Sequence, residues 1–454
     1  MNTNASRNLL TMSILAALLA SPAYAQGNGG AAAANDPGAS AQSPTEASST
    51  DQAGTNNGVK LQNVTVTAQR RKELVEKVPM SITTLDNAQL QSMNATRVDD
   101  MKFVVPNIVI EQNTALNSGM KVFMRGVGQD DSIFTADPGV ALYINDVYIP
   151  RANGALLSLY DIERIEVLRG PQGTLYGRNA TGGAIRYITR KPDGEESLTL
   201  ETTLGDLGRR DLRLNYSTRI GKDIDVSAAV MSSNRAGYIH DLTDDRMVNN
   251  SHINAIRTTF TMPVGDSTYA TLNLDYLRDT SGATFAVPVK FDANGKVVPA
   301  LGNFYETRSE MPGYNFLRQF GAAFTTDTDF GAFSLRNILS ARGMDNELHE
   351  DLDGTERVRY GLYQNQKERA YSYEAQLSSQ LSGPFSWVGG FYASRETNSQ
   401  PTRNDIFVTG ATNYISQQDH AYALYWQGNY AFTDRLKLTA GVRYSTEKKD
   451  FQVV

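Results

Sequence analysis

From residue 198 to residue 447, apolar and polar side chains alternate with a period of two in about eleven runs of roughly 7–14 residues. The runs span 198–204, 210–220, 224–234, 253–263, 267–278, 317–326, 332–342, 368–381, 385–396, 419–432 and 435–447. In the last run Leu436, Leu438, Ala440, Val442 and Tyr444 share one face, and Lys437, Thr439, Gly441, Arg443, Ser445 and Glu447 the other. In 368–381, Tyr371, Tyr373, Ala375, Leu377 and Leu381 oppose Ser372, Glu374, Gln376, Ser378 and Gln380. A period of two predicts strands. An apolar face backed by a polar one is what a lipid-embedded, water-lined barrel requires. Connection lengths agree. Short turns near 221–223, 264–266, 327–331, 382–384 and 433–434 interleave with long connections at 235–252, 279–316, 343–367 and 397–418. Membrane barrels sort loop length to one end in this way, and soluble sandwiches normally do not.

Ahead of these runs the pattern changes three times. Arg7, the apolar run Leu9–Ala20 and the small-x-small site Ala23-Tyr24-Ala25 predict a cleaved secretory signal over 1–25. Residues 26–63 predict a disordered linker, rich in Gly, Ala, Ser, Asn and Gln as far as 58. Residues 64–71 open with a short strand-like run, Val64-Thr65-Val66-Thr67-Ala68. Residues 72–192 then read as a small α+β domain. Val78–Thr83 is extended because the residue before Pro79 is pushed out of helix. Asp86 begins a helix with Leu90 and Met93 on one face, and a second helix covers Arg97–Phe103. Ile108–Glu111, Lys121–Met124 and Ala141–Ile144 predict strands of one small mixed sheet.

The most specific stretch lies at 161–192. Two strand-like runs, Arg164–Leu168 and Ala184–Thr189, flank a turn region carrying Gly170, Gly173, Gly177, Gly182 and Gly183. This stretch resembles the second half of the plug domain of TonB-dependent outer-membrane receptors. Lys121-Val-Phe-Met-Arg-Gly-Val-Gly128 resembles that family's first arginine–glycine motif, and Tyr143–Pro150 its following hairpin. Asn145 and Asp146 stand where the family usually has aspartate and glycine.

The resemblance implies a fold: an α+β plug domain (72–192) followed by membrane β-barrel strands (193–454), about half of a 22-stranded antiparallel barrel. On that count the sequence is expected to be the N-terminal part of a longer receptor. The resemblance makes Val64, Thr65, Val66, Thr67 and Ala68 a TonB box, gripped through strand addition by a TonB-like energy-coupling protein in the periplasm. It also implies a latch or structural set at Arg125, Gly126, Glu166, Arg169, Gly170, Gly182 and Gly183, with plug arginines pairing to glutamates on the inner wall and Glu374 as the candidate barrel partner. The implied partners are the lipid bilayer and a small-molecule chelate. Ferric siderophores are the first choice of substrate; oligosaccharides, cobalamin and other metal chelates stay open. A passive porin and an exported β-rich hydrolase are rival classes, but the porin leaves the plug-like domain unexplained.

Composition narrows the chemistry. Net charge is −6 with no basic stripe, which argues against nucleic acid. There are no cysteines, so there are no thiolate metal sites and no Cys nucleophile. His240, His252, His349 and His420 are scattered without metal spacing, and no nucleophile elbow or phosphate loop occurs. No enzyme, cofactor or metal is expected. The acidic group Glu347, Glu350, Asp351, Asp353 and Glu356 reads as a solvated loop, with a cation held by oxygen ligands as the alternative. Asp292-Ala-Asn-Gly295 reads as a hairpin turn.

Overall fold

The computed structural model describes residues 65–454, except 72, 114–118, 131–133, 152–158, 312, 358–359, 381–382, 408 and 434. The signal, the linker and Val64 lie outside the described residues.

The chain from 65 to 189 forms the plug. β1 (Thr65–Val66) pairs antiparallel with β2 (Glu73–Leu74). β3 (Ser81–Asp86) leads into α1 (Asn87–Ser92), and Asp86 caps the helix in a reciprocal box with Gln89. The second expected helix is a 3-10 turn, Val98–Phe103. β4 (Ile108–Gln112), β5 (Met120–Met124) and β6 (Val127–Gln129) form a separate three-stranded sheet. The expected single mixed sheet is therefore two sheets. β7 (Val140–Ile144), β8 (Val147–Ile149), β9 (Ile162–Arg169) and β10 (Gly183–Thr189) join β3 in the order β3-β9-β10-β7-β8, with β10 parallel to β7. Leu90, Met101, Ile110, Met124, Ile165, Ile185 and Tyr187 pack between the sheets and the helical turns.

Between Ser197 and Val453, eleven strands form one sheet, antiparallel throughout and in chain order, while five short strands in the connections pair apart from it. Its burial is inside out. In the strand Thr409–Ala431, Ala421, Ala423, Tyr425 and Gln427 are buried towards the plug, while Tyr422, Leu424 and Trp426 are exposed. In Tyr360–Ser379 the polar Gln366, Glu368, Glu374 and Gln376 are buried, and Tyr371 and Tyr373 point outward. An exposed apolar outer face is costly in water and suits hydrocarbon. Among the described residues no helix is long and apolar enough to cross a membrane.

Two connections read as long loops are largely strand. The strand Phe333–Asp351 and its neighbour Tyr360–Ser379 carry the ladder through most of 343–367. Phe385–Ile406 and Thr409–Ala431 pair from Phe385↔Tyr430 to Ile406↔Thr409. Alternation marks only the lipid-facing stretch of a strand. Beyond it both faces meet water and the ladder continues without a sequence signature.

Candidate functional site

An ionic cluster joins the residues that follow β1, the plug sheet and the wall. Its hub is Asp146, in the tight turn between β7 and β8. Asn145 and Asp146 both have positive φ, 48° and 70°. This is the geometry of a type I′ turn, which Asn and Asp tolerate better than other non-glycine residues. Asn145 holds the turn to β10: its amide donates to Thr189 Oγ1 at 2.8 Å, and Thr189 N donates to Asn145 Oδ1 at 3.0 Å. The turn thereby presents the Asp146 carboxylate to three arginines: Arg186 of β10 at 2.6 Å, Arg70 in the stretch between β1 and β2 at 2.8 Å and Arg336 of the wall at 3.3 Å. Burial alone would raise the Asp146 carboxyl, but Arg186, Arg70 and Arg336 outweigh it and hold it well below the usual carboxylate range.

Glu166, in the middle of β9 and fully buried, is the second hub. It pairs with Arg186 and, at 2.9 Å, with Arg164. Its Oε1 also accepts the backbone N–H of Thr67 at 3.1 Å. Tyr176 donates its hydroxyl to the Ala68 carbonyl at 2.7 Å, and the Arg70 guanidinium lies 4.7 Å over the Tyr176 ring. Val66 and Ala68 are completely buried. Val66, Thr67, Ala68 and Arg70 are thus tucked into the plug.

Glu374 lies on the inner wall, buried, accepting the Tyr425 hydroxyl at 2.7 Å, with Arg70 at 3.7 Å. The expectation that Arg125 or Arg169 would face it is corrected. Arg125 sits in a left-handed turn (φ 52°) and is exposed, while Arg169 donates to the Pro106 carbonyl at 3.3 Å. Both stand at strand ends, and among the described residues the plug arginine that meets Glu374 is Arg70. The glycines act through space and conformation. Gly126 and Gly170 have positive φ. A Cβ at Gly183 would lie 2.2 Å from the Leu168 carbonyl oxygen, and one at Gly182 2.8 Å from that of Val127. Neither position accepts a larger residue without moving backbone.

A second ionic group ties the plug to later wall strands. Arg151 pairs with Glu396 and, at 3.1 Å, with Asp419; Arg178 reaches Glu396 at 3.2 Å. Elsewhere, plug residues Arg97, Asp99 and Gln112 face wall residues Arg209, Asp211 and Arg235 across a polar cavity of about 540 Å³. Neither feature carried a local signal, since the residues that meet are far apart in sequence. Arg186 did carry one: a charge inside the apolar run Ala184–Ile188 must be paired if that run is buried.

A third contact pairs a buried plug carboxylate with a wall arginine. Asp161 is buried at the plug edge, 3.9 Å from the wall's Arg257. Burial outweighs Arg257 and pushes its carboxyl up to about 6. A raised folded-state value means the folded plug binds the proton more tightly than the unfolded chain. The docked plug is therefore expected to gain on the order of 1–2 kcal/mol as pH falls from 7 to 5. Thermal unfolding of the receptor at the two pH values checks this. Asp161→Asn should abolish the difference, and a wild-type melting point that falls over that interval would contradict it.

With the geometry established, comparisons with known proteins place the chain. Residues 75–184 match the TonB-dependent receptor plug domain, and residues 256–453 match the TonB-dependent receptor-like β-barrel. The chain belongs to the TonB-dependent receptor family, whose members reside in the Gram-negative outer membrane. It is 36% identical over 118 residues to the pesticin receptor of Yersinia pestis, covering 25% of this chain and 16% of that protein. It is 24% identical over 345 residues to the catecholate siderophore receptor Fiu of Escherichia coli K12, covering 74% of this chain and 41% of that one. The crystal structure of the ferric yersiniabactin uptake receptor FyuA from Yersinia pestis superposes with a TM-score of 0.72 at 17% identity, covering 82% of this chain and 57% of that one. The chain thus spans well under two thirds of the length of each of these relatives.

Proposed function

We propose that this chain supplies the plug and about half the wall of a receptor that actively imports a scarce chelate, in the first instance a ferric siderophore, across the outer membrane. A cleaved signal over 1–25 delivers it to the periplasm. A TonB-like protein grips Val64–Ala68 and pulls. The observation that carries this reading is Arg70, which stands two residues beyond that segment and contacts plug Asp146 and wall Glu374 together. Tension on the segment would reach the plug–wall ion pairs first. A passive pore has no use for a buried tether of this kind. The family is one of transport receptors, which supports transport over hydrolysis.

The test is uptake of labelled ferric siderophores by cells carrying the receptor, with and without an uncoupler. Expected is uptake that stops when the proton gradient collapses. Uptake that survives the uncoupler supports a porin, and gradient-dependent uptake of a sugar or cobalamin alone replaces the siderophore with that substrate. Glu374→Ala leaves Arg70 short of one buried partner and is expected to raise permeability to large antibiotics. Unchanged permeability together with unchanged transport would remove Glu374 from the latch.

A further inference from the structure

The lipid-facing side of the wall changes character abruptly. In the strands Phe385–Ile406, Thr409–Ala431 and Lys437–Val453 the outward positions carry no charge over 385–393, 422–430 and 438–446. Each stretch is about nine residues, the length that crosses hydrocarbon. The next outward residues, away from the short turns, are Arg395, His420 and Lys448. Neighbouring strands repeat the step. Arg278 follows exposed Tyr276, Arg318 stands beyond exposed Phe320, and Arg369 beyond exposed Tyr371. A belt of cations therefore lies just past an aromatic girdle, on the side of the long connections.

The belt is short of acidic partners. Arg318 and Arg369 share the one carboxylate of Asp345, at 3.1 and 2.8 Å, and Lys448 pairs with Asp450 at 2.9 Å. Arg278, Lys367 and Arg395 are exposed and form no salt bridge among the described residues. Like charges are also set directly opposite one another. Arg278 is the register partner of Arg318, and Arg395 is the partner of His420, which is in turn the partner of Lys448. Like charges directly across a ladder destabilise it. An anion seated between them converts the repulsion into charge-assisted hydrogen bonds, and the guanidinium fork matches phosphate in particular. Ring contacts hold two of the heads at the edge of the apolar band. Arg278 lies 5.6 Å over Phe316, and Arg369 lies 5.2 Å over Phe320.

We propose that Arg278, Arg318, Lys367, Arg395 and Lys448 bind the phosphate groups of the glycolipid that forms the outer leaflet around the receptor. Depth decides between a lipid headgroup and free phosphate. The cations begin one outward step beyond an uncharged band of hydrocarbon length, strand after strand. A soluble anion imposes no common depth, whereas a headgroup does. The belt then fixes how high the wall rides in the membrane. The proposal rests on the wall's seat in the outer membrane and not on which cargo is carried.

The experiment uses the full-length receptor, purified from the outer membrane in mild detergent. Binding of lipopolysaccharide is followed by native mass spectrometry and compared with the same lipid stripped of phosphate by phosphatase. Expected is at least about tenfold tighter binding of the phosphorylated form, undisturbed by inorganic phosphate at equal concentration. Arg278→Gln with Arg318→Gln, and separately Arg395→Gln with Lys448→Gln, should each weaken that binding roughly tenfold. Arg435→Gln, in the exposed turn at the opposite end of the wall, should leave it unchanged. Heat-resistant migration of the barrel shows that each variant is folded, and the comparison of the two lipids on wild-type receptor needs no variant. Equal binding of both lipids, displacement by inorganic phosphate, or unchanged binding in both paired variants overturns the proposal. A receptor that selects the phosphorylated lipid yet imports no siderophore supports the belt and counts only against the transport reading.

Discussion

Replacing Asp146 by alanine is expected to cost the receptor's plug about 3–5 kcal/mol, the penalty for breaking a buried ion pair from one side. The substitution leaves Arg70, Arg186 and Arg336 facing one another with their common acceptor gone. Asp146→Asn keeps a side chain that tolerates the positive φ and removes only the charge, so most of the loss should persist. Asp146→Gly restores the residue usual in the family and relieves the turn, worth about 1–2 kcal/mol. If turn strain outweighed the lost ion pairs, glycine would stabilise the plug; if the ion pairs outweigh the strain, glycine remains clearly worse than wild type. Hydrogen exchange of the β7–β10 amides in the full-length receptor measures all three. An asparagine variant with wild-type protection would refute the hub. The pH sign also follows. Because the folded-state value is depressed, the Asp146 contribution is complete above the unfolded value of about 4 and disappears only as acid titrates the folded site.

The second large effect is expected at Glu166. Glu166→Gln strips the charge facing Arg186 and Arg164 and weakens the acceptor for Thr67 N–H. The segment carrying Val66 and Ala68 should then leave its buried seat. The chain has no cysteine, so Val66→Cys provides a unique thiol whose reaction with a water-soluble maleimide reports exposure. Adding Glu166→Gln should accelerate labelling by roughly two orders of magnitude, the ratio that about 3 kcal/mol implies. Equal labelling rates in the two backgrounds would mean that the segment is held by packing alone.

The wall was legible wherever one face met lipid. The alternation of Leu438 to Tyr444 lies within the strand Lys437–Val453, and the run 210–220 within Arg209–Ile220. The strand Phe385–Ile406 runs ten residues past its apparent end at 396, because Thr397–Ile406 is polar on both faces and even includes Pro401. In the plug, Asp86 and Leu90 announced α1, whereas the division into two sheets depends on long-range pairing that no local pattern encodes. The ionic hub was half visible. Asn145-Asp146 stood out as a departure from the family's turn, but nothing near it pointed to Arg70 or Arg336, which lie 76 and 190 residues away. Arg125 and Arg169 drew attention through their motifs, yet a motif fixes a residue's neighbours in sequence and not the direction of its side chain.

The strands Phe385–Ile406 and Thr409–Ala431 contain 22 and 23 residues. At about 3.3 Å per residue each extends roughly 70 Å, while crossing the hydrocarbon takes only about 9–11 residues. Around half of this hairpin therefore stands clear of the bilayer as a hydrogen-bonded parapet. Its shape is fixed by the continuous backbone ladder rather than by anything that comes to rest on it, so the hairpin ends there in a stiff rim of set contour.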